Sequence, residues 1–314
     1  MTDAVTIKTP KSRLHKALMH MWRQRWMYVL SLPGMIYLIL FKYVPIYGVT
    51  LSFKDFNFAK GVMGSPWIGF QNFIELFNAE KFKQVFTNSL LLSLVKHCFT
   101  FPFPIILALM VNEMRVRWLK RTVQTFMYLP HFVSWVVLCS IVTNFLSVTD
   151  GIVNILIDRL GGTKINFLAS TEWFRTLITA TSIWKGSGWG MIIYLAGLTA
   201  INPEYYEAAT VDGANRWQRL WYITLPGISN TIIIKLVLDV GQLMNNGFEQ
   251  IYLMQNSLNI AVSDVFETYT YNIGISGGRY SYSIAVGLFK NVIGFILVYS
   301  TNALAKKLGR RTLY

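Results

Sequence analysis

"NPEYYEAATVDGANRWQRLWYITLPG" (residues 202–227) lies between two long apolar runs, yet it has the local chemistry of a small soluble helix–turn–helix. Asn202 can cap a helix whose first position is Pro203, with Glu204 in the first turn facing the positive end of the helix dipole. Asp212-Gly213 ends that helix, because glycine takes the left-handed conformation that other residues resist. A second short helix is expected over about 215–222, set at an angle to the first. Pro226 is expected to bar further helix until the next apolar run begins. A knob of this size has no core of its own. Tyr205, Ala208, Ala209, Trp217 and Leu220 must pack on some other surface, either the lipid interface or a protein partner.

The apolar runs set the surroundings. Of 314 residues, 53% are hydrophobic and 14% charged, against about 25% charged in soluble domains, so the chain reads as embedded in a bilayer. The net charge of +14 comes from basic residues that flank apolar segments rather than lining one interleaved face. Lipid topology accounts for that pattern, and nucleic acid is not an expected partner. Cys98 and Cys139 lie inside apolar runs and read as packing residues. His15, His20, His97 and His131 form no ligand cluster with them, so no metal is expected. His97 and His131 read as packed or cavity-facing.

Crossing ~30 Å of hydrocarbon takes roughly 20 helical residues. Six spans are expected, at about 28–52, 87–111, 123–147, 173–200, 229–252 and 282–305, with Pro102 and Pro104 kinking the second. The first run exceeds the about 7–15 apolar residues of a signal peptide and is retained as a span. The tails, 112–122 and 201–228 hold sixteen Lys and Arg, and the three opposite loops hold seven. The positive-inside rule therefore puts both termini, and the opening stretch, in the cytoplasm. The expected organisation is a basic tail (1–27), a first span with its external loop (28–86), a five-span core (87–305) carrying the loop 202–226, and a short tail (306–314).

Within the loop, Glu207-Ala208-Ala209, then Gly213 after Thr210-Val211-Asp212, then Ile223-Thr224-Leu225-Pro226 after nine more residues, resemble the EAA loop of ABC importer permeases. Every fixed position of that pattern is filled. The likeness extends over about 80–306. "YLPHFVSW" (128–135) and "GLFKN" (287–291) are similar to carbohydrate-uptake permeases, including those for fragments of alginate, aldouronates and pectin. The resemblance implies an all-α, six-helix type I ABC importer permease of the cytoplasmic (inner) membrane. It implies a homologous second permease, two ATP-binding cassette ATPase subunits, an extracytoplasmic solute-binding protein and an oligosaccharide substrate. It assigns Glu207, Ala208, Ala209, Asp212, Gly213, Leu225 and Pro226 to coupling with the ATPase. No phosphate-binding G-x-x-x-x-G-K-[ST] loop is present, and "LGGTK" (160–164) follows no strand. The chain is therefore expected to bind no cofactor, with ATP and Mg held by the partners.

Polar groups inside spans are candidates for the substrate path. Lys96, Lys185, Lys235 and Lys290 lie well within apolar segments, and Asp239 and Glu249 are the embedded acids. Lys235 and Asp239, four apart, are expected to pair. Lys96, Lys185 and Lys290 lack an obvious local partner. That surplus of cations suits a uronate-bearing oligosaccharide, unless each is held by a carbonyl, a lipid headgroup or a partner subunit. In "SIWKGSGWGMIIY" (182–194), glycines 186, 188 and 190 are expected to break helix regularity. Trp184, Trp189 and Tyr194 offer flat faces to sugar rings. By the resemblance, Gly186, Ser187 and Trp189 line the cavity with Asn245, Asn246 and Glu249; Trp184, Lys185 and Lys290 complete the expected path. Ser283 and Gly287 read as packing. A secondary, ion-coupled transporter is the rival, with Asp239 and Glu249 as its coupling acids, but no internal repeat supports it. No catalytic constellation points to an enzyme.

Overall fold

The computed structural model describes Met19 and residues 22–307; most of the two expected tails lies outside these. Helices account for the regular structure of the described residues, apart from one antiparallel bridge between Lys54 and Trp67. The first helix, α1 (Arg25–Phe53), is 29 residues long, and none of its most apolar window is buried. A helix apolar on every side and uncovered by protein is suited to lipid. Only its last turns pack on the final helix. The amphipathic α2 (Gln71–Asn78) leads into α3 (Glu80–Asn112), which starts seven residues before the expected span and carries Pro102 and Pro104 without stopping.

The expected third span is broken. α4 (Arg117–Phe132) and α5 (Trp135–Leu146) meet at 101°. Pro130 offers no N–H, Val133 is extended, and Ser134 starts the new helix by accepting from the Val137 N–H at 3.3 Å. After the short α6 (Ile152–Arg159) comes α7 (Thr171–Thr199), capped by Ser170. It runs unbroken through Gly186, Gly188 and Gly190, contrary to expectation. Two of these glycines instead admit neighbours. A Cβ at Gly188 would stand 1.8 Å from the Met127 carbonyl oxygen, and one at Gly190 3.1 Å from Pro104 Cγ. Small residues let helices approach closely inside a membrane.

The loop helix α8 (Pro203–Val211) is followed directly by α9 (Arg216–Gly241), a single 26-residue helix. Pro226 does not stop it. Leu220–Thr224 forms a π turn, and the Thr224 hydroxyl donates to the Arg219 carbonyl at 3.2 Å. The wider turn makes room for the proline ring. The second loop helix and the fifth span are thus one rod. That span also ends at Gly241 rather than 252. Residues 242–247 are irregular, and a separate α10 (Phe248–Met254) follows. The chain then turns through α11 (Phe266–Thr270) and a π turn (Tyr271–Ser276) into α12 (Tyr280–Lys307).

Among the described residues, four helices (α1, α3, α9, α12) are long and apolar enough to cross a bilayer, and α4–α5 makes a fifth if the bent pair is one crossing. α7 has the length but is more polar. Among the described residues, three apolar clusters hold the bundle together. Leu107, Val111, Met191, Tyr194 and Ile228 pack at the end near α8. Leu92, Cys139, Ile178 and Ile251 form the middle cluster, and Phe82, Phe266, Tyr269 and Tyr282 another around the start of α3. Cys139 is buried, whereas Cys98, expected to pack, is exposed on α3.

Candidate functional site

A cavity of about 420 Å³ lies between α3, α7, α9 and the irregular segment 242–247. Its shape follows from how that segment is held. Gly247, at φ 85°, takes the chain out of helical geometry. The buried Asn246 fixes the segment to α3: the Ser93 hydroxyl donates to its Oδ1 (2.9 Å), and its Nδ2 donates to the Ser89 carbonyl (3.1 Å). Gln250 fixes the far side to α7, donating to the Ile178 carbonyl (2.8 Å) and Thr181 Oγ1 (2.7 Å) and accepting from Ser182 Oγ (3.0 Å). With the Asn246 and Gln250 amides so committed, this part of the wall is pre-formed. The Ser187 hydroxyl, on the same wall, is buried without a hydrogen-bond partner among the described residues.

Charge in this cavity is unevenly compensated. Lys235 is paired with Asp239, as their spacing leads one to expect. Lys96 donates to the Asn246 carbonyl at 2.8 Å and has no bonded carboxylate among the described residues; Glu267 acts on it only through space. His97 sits beside it, its Nδ1 2.9 Å from the Ser93 carbonyl. A second cavity of about 300 Å³ shares Gln242 and Asn245 with the first and is bordered by Lys290. Lys290 is bonded to Glu267 at 2.9 Å, with only 21% and 9% of the two side chains exposed.

Of the expected substrate path, Gly186, Ser187, Asn245 and Asn246 come together at the first cavity. The rest do not. Glu249 points to the exposed side of α10, because the break at 242–247 shifts the helical phase on which its expected position rested. Trp184 is half exposed and off the cavity wall. Trp189 stacks on His131 at 4.6 Å and 5°, so that face of its ring is already covered. Lys185 is not free: it donates to the carbonyls of His131 (2.9 Å), Pro130 (3.5 Å) and Val133, over the Trp135 ring. The His131 and Val133 carbonyls are left without helical donors by the α4–α5 bend, while the Pro130 carbonyl also accepts from the Val133 N–H at 3.3 Å. Lys290, bound to Glu267, borders the second cavity alone. Lys96, Gln242 and Gln250 were not among the expected lining residues. Lys96 was visible as an intramembrane cation, but the two glutamines carried no signal without the break.

At the other end, α8 projects with no buried residue. Asn202 caps it by accepting from the Glu204 N–H at 3.1 Å. Gly213, at φ 77°, closes it, with the Gly213 N–H donating to Thr210 (3.1 Å) and the Ala214 N–H to Ala209 (2.8 Å). The turn is tied to α9 by Tyr206 and Thr224, whose hydroxyls lie 3.0 Å apart. Glu207, Ala208, Asp212 and Gly213 are exposed; Ala209 is half-buried. Ala208, Ala209, Asp212 and Pro226 border one surface hollow, and Leu225, half-buried, precedes Pro226 on α9.

Residues 100–310 match the family described as binding-protein-dependent transport system inner membrane component. Protein LplB of Bacillus subtilis (strain 168) is 48% identical over 292 residues, 93% of this chain and 92% of that one. The polygalacturonan/rhamnogalacturonan transport system permease protein YteP of the same organism is 44% identical over 312 residues, 99% and 97% of the two chains. A chain of a bacterial ABC transporter involved in the import of the acidic polysaccharide alginate superposes with a TM-score of 0.86 at 38% identity, covering 93% of this chain and 99% of that one. A chain from the bacterial alginate ABC transporter in complex with alginate pentasaccharide-bound periplasmic protein gives 0.86 at 37%, covering 94% and 98%. A helical bundle with several apolar helices and a capped loop helix, α8, between α7 and α9 is thus a membrane permease, and the chain belongs to the binding-protein-dependent transport system inner membrane component family.

Proposed function

We propose that this chain is one of two permease subunits of an ABC importer for oligosaccharides bearing carboxylates. The observation that carries the reading is the first cavity: a pre-formed wall of amides and hydroxyls in which Lys96 is the lysine without a bonded counter-ion. Sugar hydroxyls suit such a wall, and a uronate suits an uncompensated ammonium. The relatives' names, with polygalacturonan, rhamnogalacturonan and alginate among their cargoes, support the same substrate class.

One such core forms half a path, so a homologous second permease completes it. Both termini and the 202–227 loop face the cytoplasm, where two ATPase subunits, which hold the ATP and Mg, grip α8. In this arrangement Glu207 and Asp212 present charge to the ATPase, Ala208 and Ala209 allow close seating, and Gly213 sets the turn. Leu225 and Pro226 join the knob to α9. Closure of the ATPases draws the loops together and opens the cavity to a loaded solute-binding protein outside. The ion-coupled alternative lacks its acids, since Asp239 is neutralised by Lys235 and Glu249 is off the cavity.

The test is ATP hydrolysis by the purified complex in proteoliposomes, with binding protein carrying acidic or neutral oligosaccharides. Stimulation by the acidic class, lost in Glu207→Ala and Gly213→Pro while membrane insertion persists, is the expected result. Purification without any ATPase subunit, or full stimulation in both variants, refutes it.

A further inference from the structure

A groove of about 630 Å³ lies outside the bundle, at the end where α8 projects. One wall is a stripe on α3: Ile106, Leu109, Met110 and Glu113 recur at i, i+3, i+4 and i+7, so they share a face. The other is the start of α9, with Arg216, Trp217 and Leu220. From Ile106 to Glu113 the stripe rises about 10 Å. Its floor is apolar, and Ile106 and Met110 are more than half exposed. Its mouth carries one acid and one base. Glu113 and Arg216 both border the groove, yet neither forms an ion pair or hydrogen bond with the other or with any further side chain among the described residues.

Helix ends reinforce this separation of charge. Glu113 is the C-cap of α3, where the dipole is negative, and Arg216 is the first residue of α9, where it is positive. The site therefore offers a greasy slot that runs about 10 Å along α3, with an exposed cation-attracting group on one wall and an exposed anion-attracting group on the other. A zwitterion on an acyl chain matches all three features at once. We propose that the groove binds a phospholipid of the phosphatidylethanolamine class. Its phosphate lies on Arg216, its ammonium on Glu113, and the upper part of one acyl chain along Ile106, Leu109 and Met110. A phosphatidylcholine headgroup has no N–H to donate to Glu113. A phosphatidylglycerol headgroup has no cation and meets the Glu113 carboxylate as a like charge. Because Arg216 stands three residues after Gly213, the lipid adjoins the turn that closes α8.

The complex, delipidated in mild detergent and exchanged into equal mixtures of phosphatidylethanolamine, phosphatidylcholine and phosphatidylglycerol, can be assayed by native mass spectrometry for retained lipid. Phosphatidylethanolamine is expected to be retained about tenfold over each of the other two, the equivalent of one charge-assisted hydrogen bond. Glu113→Gln is expected to level the phosphatidylethanolamine and phosphatidylcholine signals, and Arg216→Gln to lower all three. Met110→Trp, at an exposed wall position, fills the slot and is expected to abolish retention while the complex stays assembled. Equal retention of the three lipids by the wild type, indifference to Arg216→Gln and Met110→Trp, or occupation of the groove by a cross-linked polypeptide each overturns the proposal. None of these results bears on the oligosaccharide reading, which the ATPase assay tests separately.

Discussion

Replacing Lys96 by methionine removes the ammonium while keeping the length and apolar stem that α3 packs around. At ~4 Å from a bound carboxylate, an ammonium contributes about 4 kcal/mol in a partly desolvated setting and about 1 kcal/mol in one as wet as bulk water. The cavity lies between those limits. Lys96 must also give up its 2.8 Å bond to the Asn246 carbonyl, so a net of about 2 kcal/mol is the fair expectation for a charge-assisted hydrogen bond. That corresponds to roughly a thirtyfold loss. The assay is the concentration of acidic oligosaccharide giving half-maximal ATPase stimulation, compared with a neutral oligosaccharide of equal length. The acidic value is expected to rise about thirtyfold in Lys96→Met and the neutral value to stay within about twofold. Lys96→Arg is expected to recover most of the loss. Equal effects on the two substrates would refute the assignment of Lys96 as the carboxylate-recognising group.

Lys185→Met strips the bend between α4 and α5 of its donors, so thermal unfolding is expected to drop by the equivalent of about 3 kcal/mol, with acidic and neutral substrates affected alike; a charge-selective effect would count against the stapling role. Lys290→Met leaves the Glu267 carboxylate buried and unpaired, a loss of about 3 kcal/mol. Adding Glu267→Gln is expected to restore most of it, and strictly additive losses in the cycle would dismiss the pair as a coupled unit. Gly188→Ala forces α7 from α4, because the new methyl would overlap the Met127 carbonyl; a destabilisation of at least about 2 kcal/mol is expected in unfolding measurements, and an unchanged midpoint argues against that contact.

Local chemistry was legible where the signal and its cause lie within a few residues. Asn202, Pro203 and Gly213 shape α8 by capping and by backbone freedom alone, and Lys235 with Asp239 needed only helical spacing. The breaks were not legible. Val133 and Gln242 carry no mark of a helix end; those ends are tolerable because Lys185 reaches the first from α7, while Asn246 and Gln250 bond from beside the second to groups on α3 and α7 that lie far away in sequence. Pro226 misled for the opposite reason, since a single π turn cancels the usual effect of proline. Glu267 went unnoticed because the segment around it reads as a loop outside the bundle, whereas α11 turns back against α3 and α12. The substrate path shifted accordingly: once the fifth span stops at Gly241, every side chain beyond it faces a direction that helical phase cannot supply.

The unbroken passage from Arg216 to Gly241 has a mechanical corollary. At 1.5 Å per residue, its 26 residues make a strut about 39 Å long. One end is pinned to the Gly213 turn; the other stops at the irregular segment that walls both cavities. A tilt of about 10° applied at the pinned end sweeps the far tip through roughly 7 Å for a strut of that length, more than the spacing of one helical turn. The proline that looked like an interruption thus sits inside a lever arm, and a modest swing on one face of the membrane is magnified where cargo would lie.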